Sequence, residues 1–232
     1  MTNRPGRGWL RTLVAAVLLA ALAGAGWAWW TAQHWAPPRS EFPVQGALIG
    51  AAEGAADFTA LRAIGADFVY LEASHGGRGR DRMFASNLQR VRDSGLQFGV
   101  MHTYDPCVPA ERQAANFGTT VPRDEELLPP AVALETLAEE CADPVTEAGV
   151  ESELTTFLNQ IEGHAGKPAV LKISRAFEKR YRLAGRIERR LWLSRNWLQP
   201  DYAGRPWTLW TANDRLRTEA GEEPVRWVVL QP

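Results

Sequence analysis

The first hydrophobic feature of the chain is an uncharged run from Thr12 to Trp30, TLVAAVLLAALAGAGWAWW, preceded by Arg4, Arg7 and Arg11. Its length is close to the roughly 20 residues that a helix needs to cross a bilayer. The arginines would hold the start in the cytoplasm, and Trp27, Trp29, Trp30 and Trp35 gather at the far end, where indoles favour the membrane interface. Two readings stay open. An uncleaved anchor is preferred, because a tryptophan cluster has no role in a discarded peptide. The alternative is a cleaved signal with Ala21-Leu22-Ala23 as the small-residue site. The first gives a single-pass inner-membrane protein with its domain on the periplasmic, extracytoplasmic side, and the second a secreted one. The expected divisions are 1–31 for the start and anchor or signal, 32–41 for a linker stiffened by Ala36-Pro37-Pro38-Arg39, and 42–232 for one domain.

Beyond the linker the pattern alternates between short apolar runs and amphipathic stretches. QGALIG (45–50), DFVYLEAS (67–74), QFGVMHTY (97–104), PPAVALE (129–135) and PAVLKIS (168–174) read as five strands. Between them, helices are predicted after Asp57, with Phe58, Leu61 and Ile64 on one face, and from Asp81, with Phe84, Leu88 and Val91 inward. Further helices are predicted over Pro109–Phe117, over Glu151–Glu162 with Leu154, Phe157, Leu158 and Ile161 at helical spacing, and through Tyr181. Leu191–Ser194, Trp207–Trp210 and Trp227–Leu230 then follow as three strands with little helix between them. Five strand–helix units and three bare strands predict an α/β fold, a parallel TIM-like (β/α)5β3 barrel whose last part has lost its helices.

The formal net charge of −1 supplies no global field to draw nucleic acid, so none is expected as a partner. The arginines between Arg175 and Arg190 fall on a helical pattern and read as a solvated face. The two cysteines, Cys107 and Cys141, each follow a strand, and an oxidising compartment permits a disulfide between them.

Several blocks, in order, resemble glycoside hydrolase family 25, the lysozymes that cut between N-acetylmuramic acid and N-acetylglucosamine in peptidoglycan. GADFVYLEASHG is similar to the family's second strand, GLQFGVMHTYDPC to its third, QAANF to the following helix, and VPRDEELLPPAVALE to the run into its catalytic strand. GKPAVLKIS, RRLWLSR and PWTLW resemble its fifth, sixth and seventh strands. The resemblance spans Gly46 to about Leu230 and implies a flattened barrel of eight strands. It also implies peptidoglycan glycan strands, or another envelope protein, as partner, with membrane contact through the N-terminal helix and no cofactor.

The family's carboxylates map poorly. The aspartate of its first strand corresponds to Leu48, that of its Asp-x-Glu motif to Ala133, and that of its last strand to Arg226. Its second-strand Thr-Glu-Gly appears as Ser74-His75-Gly76, its third-strand tyrosine as Met101 and its fifth-strand tyrosine as Lys172. Its proton donor corresponds to Glu135, the candidate catalytic acid, which partial burial at a strand end would keep protonated. Glycoside cleavage also needs a group to attack or stabilise the oxocarbenium-like carbon, and Leu48, Ala133 and Arg226 cannot serve. The expected function is therefore a lysozyme-like envelope protein with weak or no muramidase activity. The alternative is an active muramidase with Glu135 as acid and a relocated second carboxylate, Glu72 or Asp105.

Candidate binding residues are Glu72, His75, His102, Tyr104, Asp105 and Trp210. Period-2 alternation puts Tyr70, Glu72 and Ser74 on one face, where Glu72 would pair with Lys172 or an arginine inside the barrel. Asp105 would rim the mouth, His75 and His102 end adjacent strands, and Trp210 would stack on a sugar or pack. No metal-ligand spacing is present, so no metal is expected. Leu48, Glu72, His102 and Glu135 are expected together at one mouth.

Overall fold

The computed structural model describes residues 7–232; Arg4, one of the three N-terminal arginines, lies outside them. The chain divides at Trp35/Ala36 into two compact units. The first is one helix, α1 (Arg7–His34), which by length and composition could cross a membrane; a signal sequence passes the same test.

The second unit is a closed barrel. Its strands are β1 (Gln45–Ile49), β2 (Phe68–His75), β4 (Gln97–Tyr104), β5 (Ala131–Leu134), β6 (Val170–Ile173), β7 (Arg190–Ser194), β8 (Leu209–Leu216) and β9 (Val225–Leu230), with a two-residue β3 (Gly79–Arg80) appended to β2. The order runs β1-β9-β8-β7-β6-β5-β4-β2, and β1 pairs with β2 to close the ring. Helices α2 (Phe58–Ala63), α3 (Phe84–Ser94), α4 (Ala110–Thr120), α5 (Glu147–Ala165) and α6 (Arg175–Tyr181) fill the connections through β6, and no helix follows α6. That is the five-plus-three architecture expected, with one difference of direction. β9 runs antiparallel to both β8 and β1, so its first residues, not its last, lie at the mouth where the parallel strands end.

Local chemistry explains the boundaries. Asp57 caps α2 by accepting from the Thr59 and Ala60 amides, a cap worth about 1 kcal/mol. The helix expected from Asp81 starts three residues later, because the Asp81 carboxylate accepts instead from the amides of Met83 and Ala51 and holds the β2–α3 loop against the loop after β1. The β8 strand extends six residues beyond the expected Trp210.

The barrel interior is filled by side chains. Leu48, Phe68, Tyr70, Met101, Ala131, Ala133, Val170, Trp192, Leu209 and Val228 form one buried cluster. Trp192 and Tyr70 meet edge-on at 5.1 Å. Their polar ends are satisfied: Trp192 Nε1 donates to Thr211 and the Tyr70 hydroxyl to the Pro129 carbonyl. Outside the ring a second layer packs His102, Tyr104, Phe117 and Phe157 between β4, α4 and α5. The expected Cys107–Cys141 bridge is present, with Cα atoms 5.1 Å apart, joining the loops after β4 and β5.

Candidate functional site

The strand ends converge on a mouth built around two ion pairs. Ala133 and Lys172 are neighbours in the β5–β6 register, and both face inward. Glu135, two residues on and just past the end of β5, shares the face of Ala133 and accepts from Lys172 Nζ. Lys172 is nearly enclosed (12% exposed), whereas Glu135 is half-exposed (50%). Burial raises the Glu135 pKa, but the Lys172 charge and hydrogen bond, with the Arg226 charge, outweigh it and hold the carboxyl below its ordinary value. The sequence expectation of a protonated acid is therefore corrected: Glu135 stands as a carboxylate, because a lysine occupies the strand beside it.

The second pair centres on Arg226, placed at the mouth by the reversed direction of β9 and paired in register with Leu48. Its guanidinium grips Glu53 through two bonds of 2.7 and 2.8 Å and Glu72 through one of 2.6 Å. Glu53 is buried and also accepts from the Gly50 amide at 2.7 Å. Gly50 leaves room for this carboxylate: a Cβ there would lie 2.2 Å from Glu72 Oε2 and push the side chain aside. Glu72 thus pairs inward with an arginine, as one sequence expectation held.

A β-bulge explains the divergence of Ser74 from Glu72. Between Glu72 and Ser74 two residues of β2 pass one of β4, which reverses the facing of everything after it. Ser74 Oγ lies 2.8 Å from His102 Nδ1 on the helix side of the sheet. There His102 is fully buried against Phe157 and Phe117, and burial drives its pKa down to about 4. Its expected place beside Glu72 at the mouth is corrected: on β4 it is Met101 and not His102 that faces the interior. Tyr104 shares the outward face of His102 and packs on Phe157. Trp210 is buried against Phe42 and Trp207, with Nε1 donating to the Arg195 carbonyl. Asp105 folds into its own loop, accepting from the Cys107 amide.

Two clefts open beside these pairs. One, of about 400 Å³, is lined by Glu135, Lys172, Arg226, Ser194, Arg195, Asn196, Thr211 and Asp214. The other, of about 350 Å³, is lined by Glu72, His75 and the β3 turn residues Arg80 to Arg82, among others. Glu72 borders one and its partner Arg226 the other, so their ion pair stands between the two. Of the sequence candidates, the structure groups Glu135 with the first cleft and Glu72 and His75 with the second.

Sequence reasoning missed Glu53 and Asp214. Glu53 is a single acid in a small-residue loop, GAAEG, with nothing local to mark it. Asp214 lies on the part of β8 beyond Trp210, where Asn213 and Asp214 are adjacent polar residues and alternation breaks off, so no strand signal marked it. Asp214 is held by Asn196, whose amide donates to its carboxylate at 2.7 Å and whose oxygen accepts from its backbone amide at 3.0 Å. The Asn196–Asp214 pair closes a loop containing one strained residue. Trp197 sits at φ 65°, in the left-handed region, which costs about 1–3 kcal/mol for a residue of this kind.

No curated protein sequence matches the chain. Among solved structures, a family 25 glycosyl hydrolase from Bacillus anthracis superposes with a TM-score of 0.77 at 21% identity, over 86% of this chain and 93% of that one. A bacterial lysozyme from Streptomyces coelicolor gives 0.73 at 18% identity, over 82% and 92%. A family 25 lysozyme from Aspergillus fumigatus gives 0.68 at 18%, over 82% and 94%. These likenesses establish the barrel. The sequence profile of glycosyl hydrolases family 25 matches residues 49–218, from the last residue of β1 through β8, and the chain belongs to that family.

Proposed function

We propose that this protein is an envelope component whose barrel stands on the extracytoplasmic side, binds peptidoglycan glycan strands and has little or no muramidase activity. Residues 1–31 would supply the start and the anchor, 32–41 the linker and 42–232 the barrel. The lysozymes among its structural neighbours and the family to which it belongs support peptidoglycan as ligand. The apolar helix α1 supports export and tethering.

The observation that carries the reading against hydrolysis is the ion pairing of the mouth. Cleavage needs a protonated acid at the leaving oxygen and a carboxylate, or an amide oriented by one, at the developing cation. Lys172 favours the ionised form of Glu135, the wrong form for an acid. Glu53 and Glu72 are committed to Arg226, whose charge opposes a cation. Removing one transition-state charge stabiliser costs about 3–4 kcal/mol, or a factor of several hundred in rate. Binding needs none of this, since sugar hydroxyls are held by neutral and charged hydrogen-bonding groups alike.

One observation favours a second reading, an active muramidase with Glu135 as acid. Asp214 lines the same cleft as Glu135, and a second carboxyl there could act on the opposite face of a sugar. A zymogram on purified peptidoglycan, run beside cosedimentation with the same material, separates the two. Retention without clearing is expected. Clearing by the unaltered protein that disappears in Glu135→Gln would overturn the proposal in favour of the second reading.

A further inference from the structure

The hairpin of β2 and β3 carries the run HGGRGRDR (75–82), in which Arg78, Arg80 and Arg82 stand at alternate positions, all exposed. Elsewhere on the barrel exposed arginines are paired with acids, as in Arg92–Asp124 and Arg186–Glu151. Among the described residues no carboxylate pairs with Arg78, Arg80 or Arg82, and Arg80 makes one bond, of 3.2 Å, to the Thr119 hydroxyl. The backbone beneath them is nevertheless fixed. Asn116, buried on α4, donates its amide to the carbonyls of His75, Gly76 and Gly79 at 3.3, 3.0 and 2.9 Å. Gly76 turns the chain at φ 49°, and its amide donates to the Thr103 carbonyl.

Arg80, Arg82 and His75 line the cleft of about 350 Å³ that Glu72 separates from the cleft of Glu135. The acids around it are already engaged. Both oxygens of Asp81 accept from backbone amides, of Ala51 at 2.7 Å and Met83 at 2.8 Å. Glu72 is bound to Arg226 at 2.6 Å, and Asp105, beside Gly76, accepts from the Cys107 amide at 2.9 Å. What remains open to a ligand is therefore donor capacity: the carboxylates are hydrogen-bonded within the fold, whereas the guanidinium groups of Arg78 and Arg82 are not. A guanidinium fork matches the two oxygens of a carboxylate.

Resting on the reading of the barrel as a peptidoglycan-binding module, we propose that Arg80 and Arg82, with Arg78 beside them, form a subsite for the free carboxylates of the peptide stems that hang from the glycan strand. The Arg226–Glu72 pair stands between this cleft and the cleft of Glu135, so a stem attached to a sugar in the one has the other as its neighbour. The ligand of the mouth is then the strand together with its acidic peptide, and not bare glycan.

The test is cosedimentation of the full chain, in detergent, with peptidoglycan freed of phosphate polymers, either intact or stripped of its stems by an amidase. The intact form should retain the unaltered protein about 3- to 10-fold better than the stripped form. Arg78→Gln/Arg80→Gln/Arg82→Gln should lose that gain while binding the stripped form as before, which also reports that the variant is folded. A soluble tetrapeptide stem with free carboxylates should compete away the gain of the unaltered protein, and its methyl ester should not. An undiminished gain in the glutamine variant overturns the inference, as does equal competition by acid and ester. A gain seen only on material that still carries phosphate polymers would assign the arginines to phosphate and overturn it too. Retention of the stripped form with no gain on the intact form defeats this inference alone, whereas retention of neither form defeats the peptidoglycan-binding reading itself.

Discussion

Arg226→Met removes the centre of the mouth's larger ion cluster while keeping much of the side-chain length. In the unaltered protein the guanidinium satisfies two carboxylates, Glu53 at 4% and Glu72 at 31% side-chain exposure. Breaking a buried pair by deleting one partner costs about 3–5 kcal/mol, because the remaining charge is stranded. Glu72 keeps access to water and Arg226 is itself 20% exposed, so the lower end, about 3 kcal/mol, applies. For a domain of this size that is roughly 6–12 °C in melting temperature. Calorimetry at about pH 8, where carboxylates are ionised, with Arg226→Met/Glu53→Gln as companion, measures it. The companion should recover part of the loss at high pH. A single variant melting within about 2 °C of the unaltered protein at about pH 8 would refute the argument. A companion less stable than the single variant would do so as well.

Reduction of Cys107–Cys141, which closes a loop of 34 residues, should remove about 3–4 kcal/mol by chain entropy, read as a lower melting temperature in dithiothreitol and absent from a double-serine variant. His102 is buried with a pKa lowered to about 4 by desolvation, so the unfolded chain binds the proton more tightly. Stability should fall as pH drops from about 6.5 to about 4, by up to about 3 kcal/mol, and His102→Gln should flatten that fall in a pH series of melts. Ala133→Asp should restore no full muramidase activity, since the new carboxylate lies beside Lys172 in the β5–β6 register and meets that lysine before any substrate. A dye-release assay showing family-level lysis from this single change would defeat the account of Leu48 and Arg226 as further obstacles.

The elements that periodicity and punctuation control were legible without coordinates. The strands that end at Ile49, His75, Tyr104, Leu134 and Ile173, and the helices between them, follow from apolar runs bounded by Gly, Pro and Asp. Each of those signals is local. The ordered blocks also carried the family, and the replacement of its aspartates by Leu48, Ala133 and Arg226 could be read directly. Tertiary structure decided what those replacements do. Alternation predicted Ser74 in phase with Glu72, but a one-residue bulge, which leaves no mark in composition, turned Ser74 toward His102 and the helices. Strand direction is likewise invisible in a six-residue run, and only the antiparallel β9 carries Arg226 to the mouth. The ionisation of Glu135 depends on Lys172, 37 positions away, and the clamp on Arg226 on Glu53, 173 positions away. Electrostatic partners are set by distance through space, and a chain encodes that distance only once the barrel has closed.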